Sequence, residues 1–375
     1  MSYPLFSIVM ERNGVSNTLI GMNGGAHALG LAVATLTISR LTLLIRGDYL
    51  FAVALFGCAC SLAIFATSDA LWVWFWARFC LGYCVNIVQI LSGAWLNTAC
   101  TGDMRGRVAG LFGMGVSIGL AVGSLAIPLF GKHSDLAFGS LALYVTSISL
   151  LPLVLMNRIS CRPGQSARGA KFDLFKKAPL IAVMVFVYAF TNVTAISTMP
   201  VYFVRLDYDE TFAAFSITIL TLSMAISQPI VGWLLDHTSY KLVAISAGLI
   251  AGLAFLVIPW LAAPPMILMA FGLVGAGCLA LYTCALTMLG DQFSGGALVS
   301  GSAAIALSYA VGSAGGSSIT GAVMDIFGPF AAPVAAGIVL ICFTVALGRE
   351  FIAFFARIFA VACQTMTRRI LGFLF

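Results

Sequence analysis

The chain has 375 residues, of which 61% are hydrophobic and 9% are charged, and its formal net charge is +6. A soluble domain usually carries about 25% charged residues to keep its surface in water, so this composition excludes a soluble fold. The apolar runs are continuous, which also excludes the alternating pattern of a membrane β-barrel. We therefore predict an all-α polytopic membrane protein, because helices satisfy their own backbone hydrogen bonds in lipid.

Eleven apolar blocks, each close to the length of about 20 residues that crosses the hydrocarbon layer, give the predicted spans. In chain order they cover 18–45, 49–67, 71–97, 108–131, 136–156, 178–201, 212–235, 242–260, 264–289, 298–323 and 330–348. We expect a first transmembrane half at 1–156, a basic linker at 157–177, a second half at 178–348 and a tail at 349–375. The tail pattern predicts an amphipathic helix that lies flat on the membrane.

The basic residues outside the spans or near their ends fall mostly on one side of the predicted topology. Fifteen lie on that side, whereas Arg12, Lys132 and Arg205 lie on the other and Arg78 lies within a span. The positive-inside rule then places the linker and the C-terminus in the cytoplasm, with the spans in the cell (inner) membrane. In a soluble protein this net charge would suggest nucleic acid, but here we expect the lipid bilayer and no nucleic acid as partner.

The two halves repeat one another in sequence. Tyr3-Pro4-Leu5-Phe6 precedes a polar loop and a Gly-rich span, as Met199-Pro200-Val201-Tyr202 does in the second half. Matching glycine pairs lie at Gly119 and Gly123 and at Gly312 and Gly316. Parallel halves of this kind are typical of one transporter architecture. A complete span precedes the shared segment in the second half only, so we expect the first span to be missing, through a misplaced start or, less favoured, a real truncation.

Two motifs resemble those of the major facilitator superfamily. The loop Gly232-Trp233-Leu234-Leu235-Asp236-His237-Thr238-Ser239-Tyr240-Lys241 resembles the family's Gly-x-Leu-x-Asp signature, and Arg78-Phe79-Cys80-Leu81-Gly82 resembles its Arg-x-x-x-Gly element. The resemblance implies two pseudo-symmetric six-helix halves, with about 11 spans present here. It also implies a gating loop in which Gly232, Asp236 and Lys241 take part. The equivalent first-half loop has no matching Asp, so its gating role is not carried over.

A finer resemblance concerns the end of the third predicted span and the loop after it. Ala94-Trp95-Leu96-Asn97 and Arg105-Gly106-Arg107 resemble the YcaD-like branch of the family, which is related to cyanate-permease-type proteins. Members of that branch often carry a Glu just before the Trp-Leu-Asn stretch, where this chain has Gly93. Proton coupling through such a carboxylate is therefore not implied.

Arg78 lies deep inside a predicted span, where a charge costs at least about 2.5 kcal/mol. A stripe at helical spacing follows it, through Gly82, Asn86, Gln89, Gly93 and Asn97. One interpretation is a substrate-facing wall on which Arg78 attracts an anion or carboxylate. The alternative is hydrogen bonding between helices with a snorkelling Arg.

The resemblance places further side chains opposite Arg78. It implies that Tyr188, Asn192 and Tyr282 line the second-half side of a central cavity, although each could equally be an interfacial aromatic or a packing amide. His27, the histidine of the predicted spans, is a candidate for proton coupling, with a packing hydrogen bond as the alternative.

The leading hypothesis is a secondary-active transporter that moves a small anionic or amphipathic organic solute by alternating access, coupled to a proton or another ion. We expect a monomer with no catalytic residues, metal or cofactor. One alternative is a transport-inactive or truncated carrier-like protein that acts as a sensor or scaffold. A polytopic membrane enzyme is the other, but no nucleophile with a base stands out in the sequence.

Overall fold

The computed structural model describes residues 2–68, 70–99, 115, 118–123, 134–155, 178–292 and 296–349. This part of the chain is helical, with short turns and no strand. The helices are α1 Ser2–Arg12, α2 Asn17–Leu44, α3 Gly47–Thr67, α4 Leu71–Ala99, α5 Ser134–Leu155, α6 Pro179–Val193, α7 Met199–Arg205, α8 Glu210–His237, α9 Tyr240–Val257, α10 Pro264–Gln292, α11 Gly296–Phe327 and α12 Ala331–Arg349. The all-α prediction is confirmed for these residues.

Eight helical segments within the described residues are long and apolar enough to cross a membrane. The predicted count of eleven is not confirmed. Residues 108–131 lie mostly outside the described part, α5 contributes a shorter apolar stretch at Asp135–Ser149, and the Gly- and Ser-rich α11 is not among the eight. The predicted linker at 157–177 and the tail beyond residue 349 also lie outside the described residues.

Local sequence signals set several helix boundaries. The hydroxyl of Ser16 accepts a hydrogen bond from the backbone of α2, and Ser239 does the same for α9, so both act as N-caps. Between α6 and α7 the chain continues as a π-helical turn at Thr194–Thr198. Pro200 follows this turn and explains it, because proline has no N–H to donate and its ring crowds the preceding turn.

The helices pack as two groups that meet through α2 and α11. In the first half, defined here as α1 to α5, α2 packs on α4 and α3 packs on both α4 and α5. In the second half, α6 to α12, α6 packs on α10 and α11, and α10 packs on α8 and α9. Across the halves α2 lies against α11, and the short α1 lies against α7. The two segments that repeat in sequence around Pro4 and Pro200 are therefore neighbours in space.

An aromatic cluster fills the first half beside α1. Its rings are Phe6, Phe65, Trp74 and Phe138, each 3% exposed or less and with centroids 4.2 to 5.9 Å apart. They come from α1, α3, α4 and α5. The cluster thus anchors the eleven-residue α1 to three longer helices through buried aromatic surface.

Candidate functional site

The two halves approach most closely where α2 crosses α11. A side chain at Gly21 would collide with the backbone carbonyl of Ser317, and one at Gly321 would collide with that of Asn17. The hydroxyl of Ser318 also donates to the carbonyl of Gly21 at 3.2 Å. Small residues on both helices therefore bring the two backbones into contact, as at other helix interfaces in membranes.

One carboxylate joins the halves at the end of this crossing. Asp325, near the end of α11, accepts hydrogen bonds from the backbone N–H groups of Asn17 at 3.0 Å and Thr18 at 2.6 Å. It also accepts from the Asn17 amide at 2.8 Å and the Thr18 hydroxyl at 2.6 Å. The first N–H groups of a helix have no partner within it and favour a negative charge. A side chain of the second half thus caps a helix of the first.

Two ion pairs cross between the halves beside this cap. Arg12 at the end of α1 pairs with Glu210 at the start of α8, and Arg205 at the end of α7 pairs with Glu11 at 2.7 Å. Their side chains are 15 to 34% exposed, so each pair contributes about 1 kcal/mol at most. We call the seven residues of the cap and the two pairs the inter-half latch: Glu11, Arg12, Asn17, Thr18, Arg205, Glu210 and Asp325.

Arg78 lies inside the first half. It is 1% exposed, and its guanidinium carbon lies 4.1 Å from the centre of the Phe6 ring, within the range of a cation–π contact. His27 on α2 is buried beside it. The two predicted residues are thus brought together, between α1, α2 and α4.

The polar stripe on α4 packs partly against α2. Gly82 lies against the backbone carbonyl of His27, and the amide nitrogen of Asn86 donates to the Leu31 carbonyl at 2.6 Å and the Thr35 hydroxyl at 2.8 Å. These contacts favour the packing interpretation for this part of the stripe. Gln89 is exposed, and the side chains from residue 93 onward lie outside the described part.

The three predicted residues of the second half lie near one another, together with a tyrosine that the sequence did not single out. The Tyr188 and Tyr282 rings are stacked with centroids 4.9 Å apart, and Tyr309 of α11 lies 6.1 Å from Tyr188. Asn192 follows Tyr188 by one helical turn and is 8% exposed. Its side-chain carbonyl has no hydrogen-bond partner among the described residues.

The predicted gating loop lies at the other end of α8 from the latch. Gly232 has no described atom within 4 Å of the position a side chain would take, and Asp236 is exposed near the end of the helix. Lys241 follows in the first turn of α9. Within this loop the His237 ring is stacked on Trp233, with the ring centroids 4.7 Å apart.

The family model of the Major Facilitator Superfamily matches residues 1–317 and 181–358. The chain belongs to the major facilitator superfamily. The motif resemblance noted in the sequence is therefore confirmed at the level of the superfamily, and the chain is a membrane transport protein by family.

Two curated relatives come from Bacillus subtilis (strain 168), and both are named uncharacterized MFS-type transporters. YfkF is 23% identical over 346 residues, which cover 87% of this chain and 85% of YfkF. YkuC is 20% identical over 143 residues, which cover 36% of this chain and 33% of YkuC.

Solved structures share the fold at low sequence identity. A bacterial homologue of the human lysosomal transporter Spinster, in an inward-facing and occupied conformation, gives a TM-score of 0.77 at 13% identity, covering 94% of this chain and 93% of that one. The nucleoside transporter NupG gives 0.70 at 14%, with 94% of each chain covered. The human organic anion transporter MFSD10 gives 0.67 at 17%, covering 88% of this chain and 83% of that one.

Proposed function

We propose that the chain is a secondary-active transporter that moves a small organic solute by alternating access between its two halves. The observation that carries the proposal is the inter-half latch. The latch consists of a cap and ion pairs at the water-exposed end of the bundle, and contacts of this kind can break and re-form at modest cost. A structure that needed a permanent seal would bury apolar surface there instead.

In this proposal the latch end faces the outside of the cell. Arg12 and Arg205 belong to the minority of basic residues that the positive-inside rule assigns to that side. The latch therefore closes the outer entrance, and the solute site opens toward the cytoplasm, as in the inward-facing state named for the Spinster homologue. The gating loop around Asp236 would then close the inner entrance in the opposite state.

The candidate solute site lies between the halves, on the cytoplasmic side of the latch. We retain Arg78, Tyr188, Asn192, Tyr282 and Gln89 as its candidate residues. Asn86 is a weaker candidate, because its amide nitrogen is already bonded to α2. His27 remains the candidate for proton coupling, and the assignment to the YcaD-like branch remains a prediction.

The first experiment identifies a solute and then locks the latch. Purified protein is screened by thermal unfolding against a panel that includes nucleosides and organic anions, the classes named for two structural neighbours, because a bound ligand raises the unfolding temperature. Flux of each hit is then measured in proteoliposomes with the double variant Thr18→Cys, Asp325→Cys. The two side chains already meet at 2.6 Å, so Cd²⁺ can bridge the thiols across the halves.

We expect Cd²⁺ to stop flux in this variant and a chelator to restore it. The matched control is Thr198→Cys with Thr320→Cys, whose hydroxyls meet at 3.0 Å within the second half, and there flux should continue. Flux that continues through a bridged latch contradicts alternating access at this end. Binding without flux in every condition would instead support the sensor alternative.

A further inference from the structure

Three tyrosines from three helices of the second half form one cluster. Tyr188 comes from α6, Tyr282 from α10 and Tyr309 from α11, and Tyr188 lies between the other two. Tyr188 is 8% exposed, whereas Tyr282 and Tyr309 are half-buried. A hydrogen-bonding contact of 3.4 Å between the Thr191 hydroxyl and the Cys278 sulfur holds α6 against α10 beside the rings.

A buried amide oxygen with no hydrogen-bond partner among the described residues, that of Asn192, lies on the same face of α6. Asn192 follows Tyr188 by four residues, so their side chains lie one above the other. The Asn192 carbonyl is buried and accepts no hydrogen bond from the described residues. Buried acceptors in folded proteins are nearly always bonded, because an unbonded one destabilises the folded state. A ligand that supplies an N–H or O–H would satisfy it.

The charge around this cluster restricts the ligand further. Helices α6, α10 and α11 contain no Lys or Arg, and the acidic residues Asp291 and Asp325 lie near their ends. An anionic group has no cationic side chain on these helices to meet. Tyrosine rings instead offer stacking and edge contacts to a flat ring, or a negative face to a cation.

We propose that Tyr188, Asn192, Tyr282 and Tyr309 form a recognition site for a flat aromatic or heteroaromatic solute that is neutral at its ring and donates a ring N–H to the Asn192 carbonyl. The half-buried tyrosines contact the ring, and the amide selects for the donor. This inference deepens the proposed transport function, because the solute recognised here is the one that the halves would carry.

The test compares probes that differ in a single feature. Uridine carries a flat ring and a ring N–H, its ring-N-methyl derivative lacks the N–H, and dihydrouridine keeps the N–H but lacks the flat ring. Tryptophan and its indole-N-methyl derivative form a second pair on another ring system. Binding to the purified full-length chain is measured by equilibrium dialysis. We expect at least one ring system to bind, and its N-methyl derivative to bind about tenfold more weakly or worse, because the buried carbonyl then stays unbonded.

Variants separate recognition from folding. In Asn192→Ala the acceptor is gone, so N-methylation should no longer change the affinity, whatever the absolute affinity becomes. The matched control is Asn23→Ala, which removes another buried asparagine with an unpartnered amide atom, in the first half. It should leave the methylation effect intact. Tyr282→Leu, which removes the aromatic ring, should weaken binding about tenfold relative to Tyr282→Phe, which keeps the ring.

Each outcome decides for or against the site. A methylation effect that persists undiminished in Asn192→Ala overturns the proposal, as does equal binding of uridine and dihydrouridine, or no binding by any probe. These outcomes differ from a failure of the transport proposal. Binding that follows the expected pattern without flux keeps the site and rejects transport, whereas latch-dependent flux of a non-aromatic solute keeps transport and rejects the site.

Discussion

Replacing Asp325 by Asn should raise the fraction of molecules in which the inter-half latch is open. The carboxylate now accepts four hydrogen bonds from Asn17 and Thr18, whereas an amide has one acceptor oxygen and turns an NH₂ group toward donors. Loss of an N-cap costs about 0.5 to 2 kcal/mol, and loss of a negative charge at a helix N-terminus costs about 0.3 to 1 kcal/mol. Because the side chain is 24% exposed, we expect the combined effect to be about 1 to 2 kcal/mol.

That free energy can be measured as accessibility from the outside. A change of about 1 to 2 kcal/mol raises the open population by a factor of about 5 to 30. Ser197 lies beneath the latch, where its hydroxyl is 3.1 Å from that of Ser7 across the halves. A cysteine at Ser197 should therefore react with a membrane-impermeant maleimide about 5 to 30 times faster in Asp325→Asn, with the native-cysteine background measured in the parent chain.

The control makes the same substitution, Asp to Asn, at a position outside the latch. Asp209→Asn alters an exposed carboxylate at the start of α8, near the latch, whose side chain makes no capping hydrogen bond. It should label at the parent rate. If Asp325→Asn and Asp209→Asn label equally, the four hydrogen bonds do not hold the halves together and the reasoning fails.

Three further changes test the contacts within and between the halves. Arg78→Lys keeps the charge but loses the flat guanidinium that lies on an aromatic ring. We expect solute flux to fall about tenfold while the yield of folded protein stays near that of the parent. Equal losses of flux and of folded protein would mean that the arginine is structural. Asn86→Ala removes two hydrogen bonds between α2 and α4, so it should lower the free energy of unfolding, measured by thermal unfolding, by about 1 to 2 kcal/mol. Its control, Gln89→Ala on the exposed face, should change that free energy by less than about 0.5 kcal/mol. Gly321→Ala should force α11 away from α2 and raise labelling of the added cysteine, whereas Gly139→Ala, with no described atom near its Cβ position, should not.

The sequence predicted the helices well, because long continuous apolar runs allow few other structures in lipid. Each predicted span other than 108–131 coincides with a described helix. Spacing along α4 also showed which residues share a face. It could not show what that face meets, and Asn86 turned out to bond α2 inside the same half.

The latch and Tyr309 were missed because they depend on which helices are neighbours. The alternation of spans already placed Arg12 and Arg205 on one side, and the same counting would have placed Glu11, Glu210 and Asp325 there too. Knowing that these five charged residues lie on one side of the membrane does not show which of them are in contact. Their pairing follows from the packing of α1 on α7 and of α2 on α11, which no periodicity in the sequence encodes.

The π-helical turn at Thr194–Thr198 changes the direction in which side chains face along the helical segment Pro179–Arg205. One residue beyond the usual number per turn rotates everything after it by about 100° relative to a regular α-helix. Before the turn, Tyr188 contacts rings of α10 and α11. After the turn begins, the Ser197 hydroxyl reaches that of Ser7 in the other half. The extra residue therefore sets the angle, about the helix axis, between the side chains of the tyrosine cluster and the contact of Ser197 with Ser7. Deletion of one residue from this turn would rotate either the tyrosine cluster or the Ser197–Ser7 contact away from its partners.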